Sequence, residues 1–333
     1  MNTNVKKPSG MVQTFLMDNV MLFVFLAFFV CGLLFVDKFA SIYNMKNYLK
    51  NCAPLLIAST GLTFVVLNGG IDFSITSVIS FGSVIAAYLM VDSPLAGSPL
   101  CVPLTILIVL AIGVAFGCIN GLAVSRLKMP SFVATLAMQL IGSGIAVWFG
   151  SVLFDGVVSL GGLPESFRAI GGKGAFWLPV LIAGLCFLFC DWLNRKTVFG
   201  RQLYAIGVNP HTAEISGVPV RKNLFYLFLI SGLCAGLASV MYTAKNGAGV
   251  PTLGDKLFID VVGSVVIGGT NPAGGFGSVK NTLYGVLFLT LVSNILNLLG
   301  IEWFYVDLIK GLLVIAAAVL NLAFKKIGVR TRA

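Results

Sequence analysis

Apolar runs long enough to cross a bilayer recur along this chain from Val20 almost to its end, separated by short hydrophilic stretches. A spanning helix needs about 20 mostly apolar residues, and the sequence offers ten such runs, over roughly 18–36, 50–68, 72–92, 101–124, 131–153, 175–193, 223–243, 257–269, 279–299 and 303–324. Only 10% of the 333 residues are charged and 58% are hydrophobic. A water-soluble domain carries about 25% charged residues, so too little polar surface remains to coat a soluble protein and the lipid bilayer is the expected solvent. The first run, Val20 to Val36, is too long for a signal-peptide core and lacks a small-residue cleavage site, so it reads as the first membrane helix. The run 257–269 is short, follows a stretch broken by glycine and proline, and is expected to cross only part of the bilayer.

The net charge of +10 is distributed as membrane orientation requires, not as a nucleic-acid-binding patch. With the N-terminus inside and ten crossings, fourteen basic residues fall on the cytoplasmic side, including Lys6, Lys7, Arg126, Lys128, Arg195, Lys196, Arg201, Arg221, Lys222 and Lys280. Seven fall outside and Lys310 lies within the last span, so both termini are expected in the cytoplasm. The seven cysteines include no C-x-x-C pair. Cys186 and Cys190, four apart on one helix, suit either a metal or, better, small buried hydrophobes.

Catalytic chemistry is hard to build from this inventory. The only histidine, His211, sits in a hydrophilic loop, and no G-x-x-x-x-G-K-[ST] motif is present. The glycines of GGTNPAGGFG, residues 268–277, lack the Lys-Ser/Thr ending and the preceding strand of a nucleotide loop. The chain therefore reads as a conduit: a channel, a self-powered carrier, or a subunit driven by another protein. Ion-coupled carriers use ionisable residues within their spans, and here these are few: Asp72, Asp260, Asp307 and Lys310. Asp307 and Lys310, three apart on one helix, are expected to neutralise each other, which favours power from a separate subunit.

Two polar constellations interrupt the apolar text. The first, LNGGIDFSITS at 67–77, places two helix-weakening glycines and a carboxylate between apolar runs. Broken backbone is tolerated at membrane depth only where protein or a water-filled cavity satisfies it. One reading makes this a tight turn in which Asp72 caps the following helix with Ser74 close behind. The sharper alternative has the break lining a path, with Asn68 and Asp72 facing polar cargo. The second constellation is the loop 194–222, where Asn209 can serve as N-cap, Pro210 as first helical residue, Glu214 at the end of the first turn, and Gly217 and Pro219 as stops. The result is a helical stub about seven residues long, which suits a docking knob for a cytoplasmic partner better than a plain solvated loop.

Seven ordered blocks, GGIDFS (69–74), NG (120–121), MPSFVATLAM (129–138), TVFGRQLYAIGVNP (197–210), EISGVPV (214–220), VVIGGTNPAGGFGSV (265–279) and NILNLLG (294–300), give the chain a resemblance to the permease subunits of ATP-binding-cassette importers for simple sugars, the ribose-type permeases. The same broad family includes permeases for nucleosides and branched-chain amino acids. The resemblance implies an all-α polytopic inner-membrane protein of bacteria with about ten transmembrane helices and the fold of the vitamin B12 importer's permease. The whole of 1–333 would be one transmembrane domain, with 194–222 as its coupling loop. It also implies a second permease subunit, either a homodimer copy or a related chain, two cytoplasmic ATPase subunits carrying the ATP and magnesium, and a periplasmic sugar-binding protein. No cofactor is expected on this chain and no enzymatic activity of its own. By the same match Gly200, Arg201, Gly207, Asn209, Pro210, Glu214 and Gly217 would face or frame the ATPase contact. Ser131, Phe132 and Thr135, on the fifth span, would line the path together with Asn68, Asp72 and Ser74. The chain departs from the pattern twice: Phe73 to Ser77 replaces the L-S-V-G-S of many relatives, and Phe258 stands where many carry a glutamate, with Asp260 kept. The competing readings are a permease for another small cargo, an ion-coupled secondary transporter, and a structural membrane scaffold.

Overall fold

The computed structural model describes residues 20–154, 156 and 158–330, and among them the chain is helical apart from turns and one isolated β-bridge between Leu160 and Gly249. The expected cytoplasmic residues Lys6, Lys7 and Arg332 lie outside the described residues, as do the first two residues of the first expected span.

Thirteen helices follow in order: α1 Val20–Phe35, α2 Ile42–Leu67, α3 Ser74–Val91, α4 Cys101–Ser125, α5 Ser131–Leu153, α6 Glu165–Ile170, α7 Trp177–Lys196, α8 Val198–Val208, α9 Pro210–Ile215, α10 Val220–Asn246, α11 Leu257–Ile267, α12 Val279–Leu298 and α13 Trp303–Arg330. Seven of these, α2, α3, α4, α5, α7, α10 and α12, are long and apolar enough to cross a membrane. The expectation of ten is therefore met in part. The described portion of α1 has 16 residues and α11 has 11, about 24 and 16 Å of helix, against about 30 Å of hydrocarbon. α13 starts where the tenth span was expected.

Local chemistry sets the starts. Side-chain oxygens of Ser41, Thr197, Asn209 and Ser278 accept from the backbone N–H three residues on, capping α2, α8, α9 and α12. α2 is the central element and is buried along most of its length, with Ile57, Ala58, Leu62, Phe64 and Val65 inaccessible to solvent. α4 and α10 approach most closely. Gly113 and Gly117 of α4 face Gly232 and Gly236 of α10, and a Cβ at Gly113 would collide with the Gly232 carbonyl. Two G-x-x-x-G spacings on facing helices let backbones touch, the way helices associate where the surroundings are as apolar as the side chains.

Two expectations are corrected. Residues 197–208 are expected from the sequence within the hydrophilic loop 194–222, but Thr197 caps a helix there, α8, with Leu203 and Ile206 buried against the bundle. Lys310 does not pair with Asp307; its ammonium lies 3.0 Å from Asp260 on α11, and Asp307 is exposed. A partner fixed by packing between α11 and α13 takes precedence over the local i, i+3 spacing.

Candidate functional site

The break between α2 and α3 is satisfied by side chains, as its position among apolar helices demands. The Asp72 carboxylate, 1% exposed, accepts from the Ser74 backbone N–H at 3.0 Å, from the Ser74 hydroxyl at 2.6 Å and from the Ser231 hydroxyl of α10 at 2.7 Å. Ser74 Oγ in turn accepts from Asn120 Nδ2 of α4 at 2.8 Å. One buried carboxylate thus ties the start of α3 to α4 and α10 through charge-assisted hydrogen bonds, the stronger kind. It caps α3 from two positions ahead of the first helical residue, while Phe73, at the cap position itself, makes no side-chain cap bond.

Hydroxyls of α5 hold the other side of the break. Ser131 Oγ accepts from Ile71 N at 3.3 Å, and Thr135 Oγ1 accepts from Phe73 N at 3.2 Å while donating to Ile71 O at 3.0 Å. The spacing of four places both hydroxyls on one face of α5. A cavity of about 110 Å³ lies beside the break, lined by Val65, Asn68, Gly70, Ser131, Leu227 and Phe228 among others. Neither polar atom of the Asn68 amide has a hydrogen-bond partner among the described residues, though both are shielded from solvent.

The residues expected along a path therefore divide. Asn68 and Ser131 border the cavity, and Phe132 is 52% exposed. Asp72, Ser74 and Thr135 are buried inside the hydrogen-bond network that shapes the break. Asn120, quoted in the NG block without a role, and Ser231, which is not marked in the sequence, complete that network; small polar residues on apolar helices were the available signal.

The second constellation divides in the same manner. Gly200 and Gly207 are packing residues. A Cβ at Gly200 would strike the Asn194 carbonyl at the end of α7, and one at Gly207 would strike the Leu67 carbonyl and crowd Gly275 N. Leu67 O accepts from Gly275 N at 2.8 Å, so the end of α2, the loop 268–278 and α8 meet at one glycine junction. Tyr204 strengthens it, its hydroxyl 2.8 Å from Gly277 O and 3.0 Å from Asn194 Oδ1. Arg201, Asn209, Pro210, Glu214 and Gly217 are exposed. Asn209 Oδ1 accepts from Thr212 N at 3.0 Å with Pro210 at the first helical position, the start that the sequence indicates. Gly217, at φ 82°, ends the stub in a left-handed conformation that favours glycine. Ala213 is the stub's buried anchor, while Val208 and Ile215, each 75% exposed, present apolar surface on either side of it. What this site can do is mechanical: a rigid, exposed knob is joined through tight backbone contacts to the broken helices of the bundle.

Residues 44–318 match the family described as branched-chain amino acid transport system / permease component. The ribose import permease protein RbsC of Escherichia coli K12 is 31% identical over 286 residues, 85% of this chain and 87% of that protein. RbsC of Bacillus subtilis is 34% identical over 84% of each chain, and the L-arabinose transport system permease protein AraH of Escherichia coli K12 is 30% identical over 90% of this chain and 89% of that protein. No solved structure matches. A multi-pass helical chain with an exposed stub on its longest hydrophilic loop, matched over most of its length by such permeases, belongs to the branched-chain amino acid transport system permease component family.

Proposed function

We propose that this chain is the transmembrane permease subunit of an ATP-binding-cassette importer for a monosaccharide, ribose or a similar simple sugar, in a bacterial inner membrane. The observation that carries the reading is the stub Pro210–Ile215, exposed at its surface and locked at its root by Gly207 against Leu67 and Gly275. In this reading α9 docks on a cytoplasmic ATPase subunit, which holds ATP and magnesium. Arg201, Asn209, Pro210 and Glu214 lie at the contact, Gly217 shapes it, and Gly200 and Gly207 transmit the motion. Nucleotide-driven closure of the ATPases moves the stub as a rigid body, and the glycine junction passes that motion to the broken ends of α2 and α11, a rocking change between two states. The path runs near Asn68, Ser131 and Phe132, with Asp72, Ser74 and Thr135 holding its frame.

A second permease copy or a related chain completes the pore, and a periplasmic binding protein delivers the sugar. Residues 1–333 form one transmembrane domain with 194–222 as its coupling loop. Both termini lie in the cytoplasm, and about ten helices are arranged as in the vitamin B12 importer's permease. The relatives named for ribose and L-arabinose support the sugar cargo. The family's description, branched-chain amino acid transport, supports the second reading, an amino-acid cargo. Cells expressing the chain with an ATPase and a binding protein encoded beside it decide between them. Uptake of labelled D-ribose or L-arabinose is expected, and uptake of labelled leucine without either sugar overturns the sugar reading.

A further inference from the structure

We propose that Phe73, Phe258, Thr252 and Asp255 form a water-lined wall at the middle of the membrane that contacts a polyhydroxylated solute in transit; this rests on the importer reading above. The inference starts from the segment 249–256, which is not helical yet runs inside the bundle. Val250 N donates to Ser83 Oγ at 3.1 Å and Gly254 N to Ser80 Oγ at 2.9 Å, while Gly254 lies against the Thr76 carbonyl. The segment thus lies along α3 from its centre to its first turn. Serines at spacing three serve as backbone partners there, as irregular chain at membrane depth requires.

Its depth follows from α11, which continues it. Ser59 Oγ donates to Val261 O at 3.3 Å, and Ser59 lies about 26 Å along a helix about 39 Å long. α11 runs the same way as α2, since Gly275 beyond it bonds Leu67 at the end of α2. Leu257, one turn before Val261, is therefore about 20 Å from either end of α2. At that level Thr252, Asp255, Lys256 and Ile259 are exposed. Lys256 reaches over the Trp303 ring at 3.7 Å, whereas the Asp255 carboxylate has no ionic partner among the described residues. An exposed, unpaired carboxylate at mid-depth is not stable against lipid tails and faces water in a functional site.

Beside it two aromatic rings meet. The rings of Phe73 and Phe258 stack at 4.4 Å between centroids and 15° between planes, and both are partly buried with an accessible edge. The pair joins the first turns of the two helices, α3 and α11, that begin inside the membrane. A flat aromatic face next to a carboxylate and a hydroxyl is chemistry that suits a sugar, whose C–H face packs on a ring while its hydroxyls donate to the acid.

Two measurements on the assembled importer in intact cells test this. First, Thr252→Cys and Asp255→Cys are labelled with a membrane-impermeant methanethiosulfonate, with the parent chain and Leu188→Cys, on the exposed apolar face of α7, as controls. Labelling of both wall positions but not of position 188 is expected, with loss of uptake on labelling. Two wall positions as unreactive as 188, or labelling that leaves uptake intact, overturn the proposal. Second, initial uptake of D-ribose and L-arabinose at limiting concentration is compared for Phe258→Ala and Phe258→Trp, at matched membrane levels. A tenfold or greater loss in the alanine variant with retention in tryptophan is expected, and parent-like uptake in the alanine variant overturns it. A parent that takes up neither sugar counts against the monosaccharide reading alone, and labelling then decides whether the wall is wet.

Discussion

At the residue scale, Asp72 shows how a carboxylate survives in an apolar bundle: three donors from two elements converge on it. Removing the acceptor strands those donors in a dry interior, and each buried unsatisfied group costs about 1–3 kcal/mol. Asp72→Ala is therefore expected to destabilise the purified protein by about 2–4 kcal/mol, given partial relaxation around the gap. Asp72→Asn, which keeps an acceptor, is expected to lose less. Thermal unfolding in detergent checks the order, and equal midpoints for alanine and wild type would remove the network from the account. Thr135 follows the same logic. Its 0% exposure means that a bulky substitution there tests the fold and not the path. Thr135→Val, which strands Phe73 N–H and Ile71 C=O, is expected to lower the midpoint, while Thr135→Ser retains it.

Among elements, the stub and its root make separable predictions. A Cβ at Gly217 meets nothing within 4 Å among the described residues, so the cost of Gly217→Val is backbone strain at φ 82°, about 1–2 kcal/mol, confined to the end of α9. Membrane insertion is expected to be normal while transport and ATPase stimulation fall together. Gly217→Asn, which tolerates this conformation, is expected to restore both. Wild-type uptake in the valine variant would deny the stub a coupling role. The ion pair between α11 and α13 gives a second test. Lys310→Met leaves Asp260 partly buried without its cation, which costs about 3–5 kcal/mol, and the double variant Lys310→Met with Asp260→Asn is expected to recover much of it in a thermal midpoint. The stub's start and stop were legible in the sequence because Asn209, Pro210 and Gly217 act within a few residues of themselves. Most span boundaries were legible because the bilayer sets their length, but α2 starts at Ile42 and not near residue 50, because Ser41 caps a helix that carries Lys46 and Lys50 ahead of its apolar run. The Lys310 partner was not, because Asp260 is fifty residues away and only the packing of two helices brings it close. Gly200 and Gly207 are expected from the sequence to face or frame the ATPase contact, and the close backbone approaches to α7 and α2 that also fix them are encoded by no local pattern. The G-x-x-x-G spacings on α4 and α10 were in plain view, but their pairing depended on which helices face each other.

For the whole molecule, the disposition of charge constrains how transport is driven. A carrier that runs on an ion gradient needs ionisable groups that exchange ions or protons along the path. Here Asp72 is enclosed by hydrogen bonds and Asp260 is held by Lys310, so neither of these acids stands open as a relay. Asp255 and Asp307 are exposed, but no hydrogen bond among the described residues links either of them to Asp72 or Asp260 in a chain of relays. Meanwhile the longest hydrophilic loop carries the exposed stub α9, rooted by Gly207 against Leu67 and Gly275, which the proposed reading uses as the handle. Energy is thus expected to enter through α9 from a nucleotide-consuming partner. In membrane vesicles holding the chain with its ATPase and binding protein, abolishing the proton and sodium gradients while ATP is clamped is expected to leave uptake unchanged, and withdrawing ATP is expected to stop it within the first turnover. Uptake that persists without nucleotide and follows an imposed gradient would require one of these acids to titrate during transport. It would also turn the junction of Gly207, Leu67 and Gly275 from a transmission into simple packing.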